Sequence, residues 1–287
     1  MDTSRFRVRP GETVRLRSRP TDDTRPFRNK RKAVDKLKRG LERLVKLQEL
    51  LYAENRWSLL LVFQGMDAAG KDSVIKHVMS GLNPQGTQVY SFKRPSDEEL
   101  DHDYLWRSVK ALPERGRIGI FNRSYYEETL VVKVHPEILA AEKLPPSLVT
   151  TRIWSQRYED INALERYLSR NGTVIRKFFL HLSKEEQRRR LLERLDEPSK
   201  TWKFQPGDLD ERDRWDEYQR AYEQMLSRTS TRHAPWFVVP ADHKWFTRLA
   251  IAELIAETLA ALDLAFPKPS KEQLVALAEA RRRLARS

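Results

Sequence analysis

The 287-residue chain contains no cysteine. Disulfide bonds, thiolate nucleophiles and zinc–thiolate sites are therefore excluded. Its six histidines lack the spacing of metal ligands, and no motif supports Ser-His-Asp chemistry. The chain also lacks an apolar run that could span a bilayer and an apolar N-terminal signal segment. We therefore expect a soluble, cytoplasmic protein with no membrane partner.

Acidic residues are fewer than basic residues in this chain. The chain has 54 Lys and Arg against 41 Asp and Glu, a formal net charge of +13, and a pI near 9.9. Residues 1–40 hold fourteen of these basic residues. A surplus of this size indicates an anionic partner, such as nucleic acid, a membrane surface or a polyanionic substrate. Simple solubility is the alternative interpretation.

Apolar runs alternate with helix-forming stretches along the chain. Helices are predicted from about 29 to 54, at 97–112 and at 146–172. This alternation favours an α/β fold with one parallel sheet between two layers of helices. The five predicted strands are 57–65, 87–92, 117–122, 173–182 and 234–242.

The chain divides into three predicted parts. Residues 1–55 form a basic N-terminal arm and a packing helix, and alternation at 14–19 predicts a short exposed strand in the arm. Residues 56–266 form the core, which includes a largely helical, strongly charged segment at about 183–231. Residues 267–287 form a basic tail helix.

The stretch QGMDAAGKD, residues 64–72, has the pattern of a phosphate-binding loop. Its glycines allow a tight turn in which successive N–H groups point into one concavity, and the following helix adds the positive end of its dipole. Lys71 supplies a positive charge for the transferred phosphate. The residues predicted to form the concavity are Gly65, Ala68, Ala69 and Gly70.

Two aspartates, Asp67 and Asp72, lie in this anion-binding stretch. They would repel phosphate unless a divalent cation lies between the charges, and Mg²⁺ prefers carboxylate, phosphate and water oxygens. Asp67, inside the loop, is the predicted ligand for Mg²⁺, with Mn²⁺ as an alternative ion. Asp72 stands where the usual pattern has Ser or Thr, and it either contacts the metal and phosphates or caps the helix N-terminus.

A second polar cluster, residues 120–128, follows the third predicted strand. The carboxyl ends of parallel strands meet at one edge of a sheet, so this cluster should face Lys71. Arg123 fits a fork-shaped phosphate clamp. Asn122 stands where P-loop enzymes usually have a metal-binding aspartate. Glu127 is therefore the second predicted metal ligand.

With both stretches in view, the sequence resembles polyphosphate kinase family 2, in which they are the Walker A and Walker B regions. The likeness spans most of residues 10–265. It implies a thymidylate-kinase-like P-loop fold with a helical lid. It also implies Mg²⁺-dependent, reversible phosphoryl transfer between inorganic polyphosphate and a nucleotide, and a homo-oligomer. Further matching stretches are DYLWR (103–107), KFFLHLSKEEQRRRLLERL (177–195), WKF (202–204), WDEYQ (215–219) and APW (234–236).

The resemblance also implies roles for particular residues. Glu127 lies where one subgroup has Asn, and the form of the motif is more like the subgroup that accepts both AMP and ADP. Lys93 and Arg94 stand where that subgroup often has uncharged residues, which leaves the acceptor open. The implied catalytic residues are Asp67, Lys71, Arg123 and Glu127. Further predicted phosphate or polyphosphate ligands are Asp72, Lys93, Arg107, Lys177, Arg190, Arg194 and Lys203.

The lid prediction rests on basic residues at helical spacing. Arg190 and Arg194 are four residues apart and share a helix face, and Lys203 follows them. A lid with these residues would close over bound phosphates and exclude water. The alternative is an ordinary charged helix that is paired internally with neighbouring glutamates.

Two other functions remain open at this point. An ATP-dependent nucleotide kinase would use the same loop and lid. A nucleic-acid-binding P-loop protein would use the basic residues 1–40 and 280–287, but no RNA-binding motif with interleaved aromatics is present, so nucleic acid is not favoured.

Overall fold

The computed structural model describes residues 1–27 and 29–286. Within them, five strands form one parallel sheet in the order β2-β3-β1-β4-β5. The predicted sheet is confirmed, and each end is placed within two residues of its prediction. The strands are β1 Ser58–Gln64, β2 Thr87–Ser91, β3 Ile118–Asn122, β4 Thr173–His181 and β5 Trp236–Pro240.

Helices connect the strands and cover both faces of the sheet. Along the described part of the chain they are α1 Lys30–Glu54, α2 Lys71–Val78, α3 Asp97–Leu100, α4 Trp106–Lys110, α5 Val131–Val134, α6 Pro136–Ala141, α7 Ile153–Arg170, α8 Lys184–Asp196, α9 Gly207–Asp213, α10 Trp215–Thr229, α11 Lys244–Ala260 and α12 Lys271–Leu284. No described helix is both long and apolar enough to cross a membrane.

The side chains of β1 divide between two apolar clusters. Leu59, Leu61 and Phe63 pack with α1, α2 and α11, whereas Leu60 and Val62 pack with α7 and α10. Successive residues of a strand point to opposite faces, and both faces of this strand are covered. A continuous apolar run is therefore what β1 requires.

The N-terminal arm differs from its prediction. Residues 14–19 do not form an exposed strand: Leu16–Ser18 is a 3-10 helix, and Val14 and Leu16 are buried. The backbone N–H of Leu16 donates to Glu223 on α10 over 2.7 Å. The arm is thus held by long-range contacts that alternation along the sequence does not encode.

The predicted helix at 97–112 is also corrected. A capping box at Ser96 starts α3, but α3 ends at Leu100 and α4 begins only at Trp106. Between them, the Asp103 carboxylate accepts a hydrogen bond from the Leu105 N–H over 2.9 Å. Such local bonds compete with a continuous helix.

The segment at 183–231 contains α8, α9 and α10 and a 3-10 turn at Thr201–Lys203, in agreement with the predicted helical content. The tail helix α12 is present and fully exposed. The division at residues 55/56 and 266/267 stays a prediction.

Candidate active site

The loop between β1 and α2 has a backbone that only certain residues adopt easily. Gly65 has φ = +153° and Gly70 has φ = +100°, in the region that favours glycine. A Cβ on Gly65 would lie 2.9 Å from the carbonyl oxygen of Leu180 on β4. Ala68 has φ = +61°, which is strained for a residue with a side chain and persists where the surroundings hold it.

The surroundings that hold this loop include Arg190. Its guanidinium is buried, and NH1 donates to the carbonyl oxygens of Ala68 and Ala69 over 3.0 and 3.1 Å. NH2 donates to the carbonyls of Ala241 and Asp242, and Nε donates to Glu186. Five bonds use the five donors of a guanidinium. In this structure Arg190 therefore has no donor left for phosphate, and its predicted phosphate contact stays a prediction.

Lys71, at the start of α2, folds back onto the loop. Its Nζ donates to the carbonyl oxygens of Gly65 and Met66 over 2.7 and 3.3 Å. Burial lowers the pKa of Lys71, and the positive charge of Arg123 lowers it further. An ammonium group has three donors, so these two bonds leave one for another acceptor.

Arg123 lies just beyond β3 and reaches the same loop. Its N–H donates to the Phe63 carbonyl of β1 over 3.0 Å. NH2 bonds Asp67 over 2.9 Å, and NH1 is 3.7 Å from a carboxylate oxygen of Glu127. Glu127 raises the pKa of Arg123, against the effect of burial, and Asp67 raises it further. The four predicted catalytic residues, Lys71 included, thus lie at one edge of the sheet.

A short 3-10 helix, Tyr125–Thr129 (the 125–129 turn), carries Glu127. Ser124 starts it: the Ser124 hydroxyl accepts from the Tyr126 N–H and from the Gln64 side chain, each over 3.2 Å. The turn is therefore joined directly to the end of β1, beside the glycine loop.

Asp72 lies in the first turn of α2, where the helix dipole favours a negative charge, but the N-cap residue is Gly70. Its carboxylate accepts a hydrogen bond from the Asn122 side chain over 2.5 Å. Asp72 is thus linked to the end of β3, and its predicted contact with phosphate stays a prediction.

Arg190 is not the only residue of α8 that contacts the loop. Gln187 on α8 donates to the Asp67 carbonyl over 3.1 Å. Arg194 pairs with Asp208 of α9 over 3.2 Å, and the pKa of Asp208 is raised by burial and next by Asp67. Lys203 is exposed, and its Nζ lies 5.1 Å from the centre of the Trp202 ring.

Comparison with known proteins shows the family of the chain. The family model described as polyphosphate kinase 2 matches residues 28–267. The chain belongs to the polyphosphate kinase 2 family. An ADP-polyphosphate phosphotransferase from Rhodopseudomonas palustris is 52% identical over 98% of both chains. An AMP/ADP-polyphosphate phosphotransferase from Meiothermus ruber is 46% identical over 92% of this chain and 96% of its own.

A solved structure confirms the fold class. The crystal structure of polyphosphate kinase 2 from Arthrobacter aurescens TC1 superposes with a TM-score of 0.87 at 39% identity, over 96% of this chain and 95% of that chain. The resemblance drawn from the two Walker-like stretches, and the P-loop kinase-like fold that it implied, are therefore confirmed.

Lys177, a predicted phosphate ligand, lies elsewhere. It is fully buried on the face of β4 that packs against α7 and α10. Its Nζ donates to the Glu165 carboxylate over 2.6 Å, to the Tyr126 hydroxyl over 2.8 Å and to the Thr229 carbonyl over 2.7 Å. All three donors are used within the core, which leaves none for the predicted phosphate contact.

Lys93 and Arg107 lie together beyond β2. NH1 of Arg107 donates to the Lys93 carbonyl over 2.8 Å and contacts the Glu99 carboxylate at 3.4 Å. The Lys93 ammonium is exposed. These bonds orient the segment after β2 and do not join it to the glycine loop, so phosphate binding by this pair stays a prediction.

Sequence reasoning missed three side chains of the site: Asp208, Tyr218 and Tyr222. Burial raises the pKa of Tyr222, and the nearby carboxylates of Glu127 and Asp67 raise it further. The two tyrosines are four residues apart on a charged helix, and that spacing puts them on one face. This signal could have found them, whereas Asp208 stands in a run of similar charges.

The carboxylate oxygens of the site suit a hard cation whose other ligands come from the substrate and from water. No group of three or more His, Cys, Asp or Glu that could hold a metal occurs among the described residues. Magnesium is usually bound by one or two carboxylates together with substrate phosphates and water. Asp67 and Glu127 flank Arg123 at hydrogen-bond and ion-pair distance, so two carboxylates lie on either side of the same guanidinium.

Proposed function

We propose that the protein transfers a phosphoryl group reversibly from inorganic polyphosphate to AMP or ADP, with Mg²⁺ as the cofactor. The observation that carries the proposal is the convergence of Lys71, Arg123, Asp67 and Glu127 beside a glycine loop. The names of the Rhodopseudomonas and Meiothermus relatives support polyphosphate and adenine nucleotides as the substrates.

In phosphoryl transfer the protein does little covalent chemistry. It positions the two phosphates and neutralises the charge that develops in the transition state. The amides of Gly65–Gly70 bind the phosphate oxygens. The free donor of Lys71 adds a point charge, and the guanidinium of Arg123 clamps the transferred group. Arg190 keeps the loop's carbonyls turned towards itself, which leaves the opposite side of the peptide units for the anion.

Asp67 and Glu127 would hold the magnesium ion. Bound there, Mg²⁺ would neutralise phosphate charge and so allow two polyanions to approach. The two carboxylates now balance the charge of Arg123. We propose that they continue to restrain its side chain when phosphate binds.

A chain of phosphates needs a cationic path. The net charge of +13 supplies the long-range attraction, and exposed Lys93 and Lys203 extend it beyond the loop. Arg194 is held by Asp208 and would contribute when the lid changes position. Tyr218 and Tyr222 lie on α10, where burial raises the pKa of both and the charge of Glu127 contributes to the increase.

The experiment supplies polyphosphate and Mg²⁺ with AMP, ADP, GMP or GDP separately and measures each product. Formation of ADP and ATP supports the proposal. Transfer that requires ATP and ignores polyphosphate would establish an ordinary nucleotide kinase instead. Retention of DNA or RNA at moderate salt without phosphotransfer would establish a binding protein. Loss of activity with chelator and recovery with Mg²⁺, compared with Mn²⁺, identifies the ion.

Acceptor choice is assigned to Glu127. Replacing it with asparagine, Glu127→Asn, should change the ratio of AMP to ADP turnover, and an unchanged ratio would remove this role. The homo-oligomer and the cytoplasmic location stay predictions, the first to be checked by light scattering.

A further inference from the structure

An ion pair lies in the core directly behind the candidate site. Lys177 and Glu165 are both fully buried and 2.6 Å apart. The Glu165 carboxylate accepts from the hydroxyls of Tyr125 and Tyr126 over 2.9 and 2.8 Å. The Tyr126 hydroxyl also accepts from Lys177 over 2.8 Å. Each of these side-chain nitrogen and oxygen atoms has a hydrogen-bond partner.

The cluster joins four elements. Lys177 comes from β4, Glu165 from α7 and the two tyrosines from the 125–129 turn, while the carbonyl of Thr229 at the end of α10 accepts the third Lys177 bond over 2.7 Å. The 125–129 turn carries Glu127 and follows Arg123 directly. The helix α10, which supplies the Thr229 carbonyl, also carries Tyr218 and Tyr222.

Stability alone is a weak reason for such a pair. The desolvation of two buried charges often cancels their attraction, and apolar replacements of the same volume are often neutral or stabilising. A fully bonded network does fix geometry, because each hydroxyl has one satisfactory direction. The network fixes the positions of Tyr125 and Tyr126. These two residues lie between Arg123 and Glu127 in the sequence.

We propose that Lys177 and Glu165 are positioning residues, which act through the hydroxyls of Tyr125 and Tyr126 to aim Arg123 and Glu127. The inference rests on the proposed function, since Arg123 must have a phosphate to clamp. Both tyrosine hydroxyls donate to the Glu165 carboxylate.

The first test is Tyr126→Phe, which removes one bridging hydroxyl and leaves the ion pair intact. Below the melting temperature, kcat should fall about tenfold, because a small displacement of a clamp lowers the rate steeply. KM for polyphosphate and ADP should stay within about twofold. The matched control is Tyr158→Phe on α7, a buried tyrosine whose hydroxyl accepts a long hydrogen bond from Lys133, over 3.4 Å.

A double-mutant cycle separates positioning from general destabilisation. In an Arg123→Lys background, Tyr126→Phe should add less than twofold, because its effect passes through Arg123. Losses that multiply independently would overturn the proposal. So would a kcat within twofold of the wild type in both Tyr126→Phe and the charge-free Lys177→Met, Glu165→Gln double variant.

A second measurement does not need turnover. Hydrogen exchange in a peptide covering residues 123–129 should be at least about tenfold faster in Tyr126→Phe than in the wild type and in Tyr158→Phe. Unchanged exchange overturns positioning by the cluster. A wild type inactive with polyphosphate overturns the proposed function instead, and the exchange result still decides the structural claim.

Discussion

Lys71 and Lys177 are both buried lysines that sequence reasoning predicts as phosphate ligands, and the structure separates them. Lys71 is bonded by two neutral carbonyls, with one donor left. Lys177 is bonded by a carboxylate, a hydroxyl and a carbonyl, with no donor left. Burial lowers the pKa of each, that of Lys177 to about 8, although Glu165 opposes the change.

The difference shows that burial does not decide what a lysine does. An ammonium held by uncharged dipoles keeps a local field that attracts an anion, whereas one paired with a carboxylate has its field cancelled. Lys71 suits a binding site for this reason. Lys177 suits a supporting role in the core behind such a site. Substitution of Lys177 should mainly lower stability, and substitution of Lys71 should mainly lower activity.

The largest expected effect is on stability, at Lys177. Lys177→Met leaves the buried Glu165 carboxylate unpaired, so the free energy of unfolding should fall by about 3–5 kcal/mol. Denaturant unfolding measures the change. Adding Glu165→Gln to this variant should restore part of the loss. A single variant as stable as the wild type would contradict the comparison.

Lys71→Met should lower activity and should not lower stability. Activity with polyphosphate should fall about 10²–10³-fold, the usual effect of removing one charge-stabilising donor. The free energy of unfolding should not decrease, because the burial that lowers the lysine's pKa disfavours its charge in the folded state. Coupled assays and melting curves test both statements. The control is Lys76→Met, at an exposed position of the same helix; equal losses in the two variants would refute the assignment.

Arg123→Lys sharpens the comparison by keeping the charge and removing the fork. We expect kcat to fall about 10–100-fold, because a lysine cannot hold phosphate in two places and keep the contact with Asp67. Arg117→Lys, at the other end of β3, is the control and should retain full activity. A fully active Arg123→Lys enzyme would mean that charge alone suffices there.

The smallest effect is expected at the exposed lid residue Lys203. Lys203→Ala should raise KM for polyphosphate by about two- to fivefold at low salt, the range expected for an exposed charge. The difference should shrink as salt shortens the screening length. Lys38→Ala on α1, also exposed, should behave as the wild type. Salt-independent losses at Lys203 would indicate a buried contact.

Local signals explain why most of the sheet and loop could be predicted. The apolar run of β1, the glycines at 65 and 70, and Lys71 stand next to one another in the chain, and short-range geometry determines their conformation. The proximity of this loop to Arg123 could also be predicted, because the carboxyl ends of parallel strands lie at one edge of a sheet.

The roles of two long basic side chains could not be predicted in this way. Arg190 has the sequence environment of a surface lid arginine, but it reaches the carbonyls of the glycine loop and of Ala241 and Asp242. Lys177 lies next to Phe178, and its partners come from three distant segments. No pattern of neighbouring residues records such partners.

By itself, the sequence determined the α/β architecture, the phosphate-binding loop and the identity of its charged groups, because these depend on periodicity and on residues a few positions apart. Only the tertiary structure decided which cations remain free for a substrate. That depends on whether distant carboxylates and carbonyls occupy their donors, and these partners come together only when the chain packs.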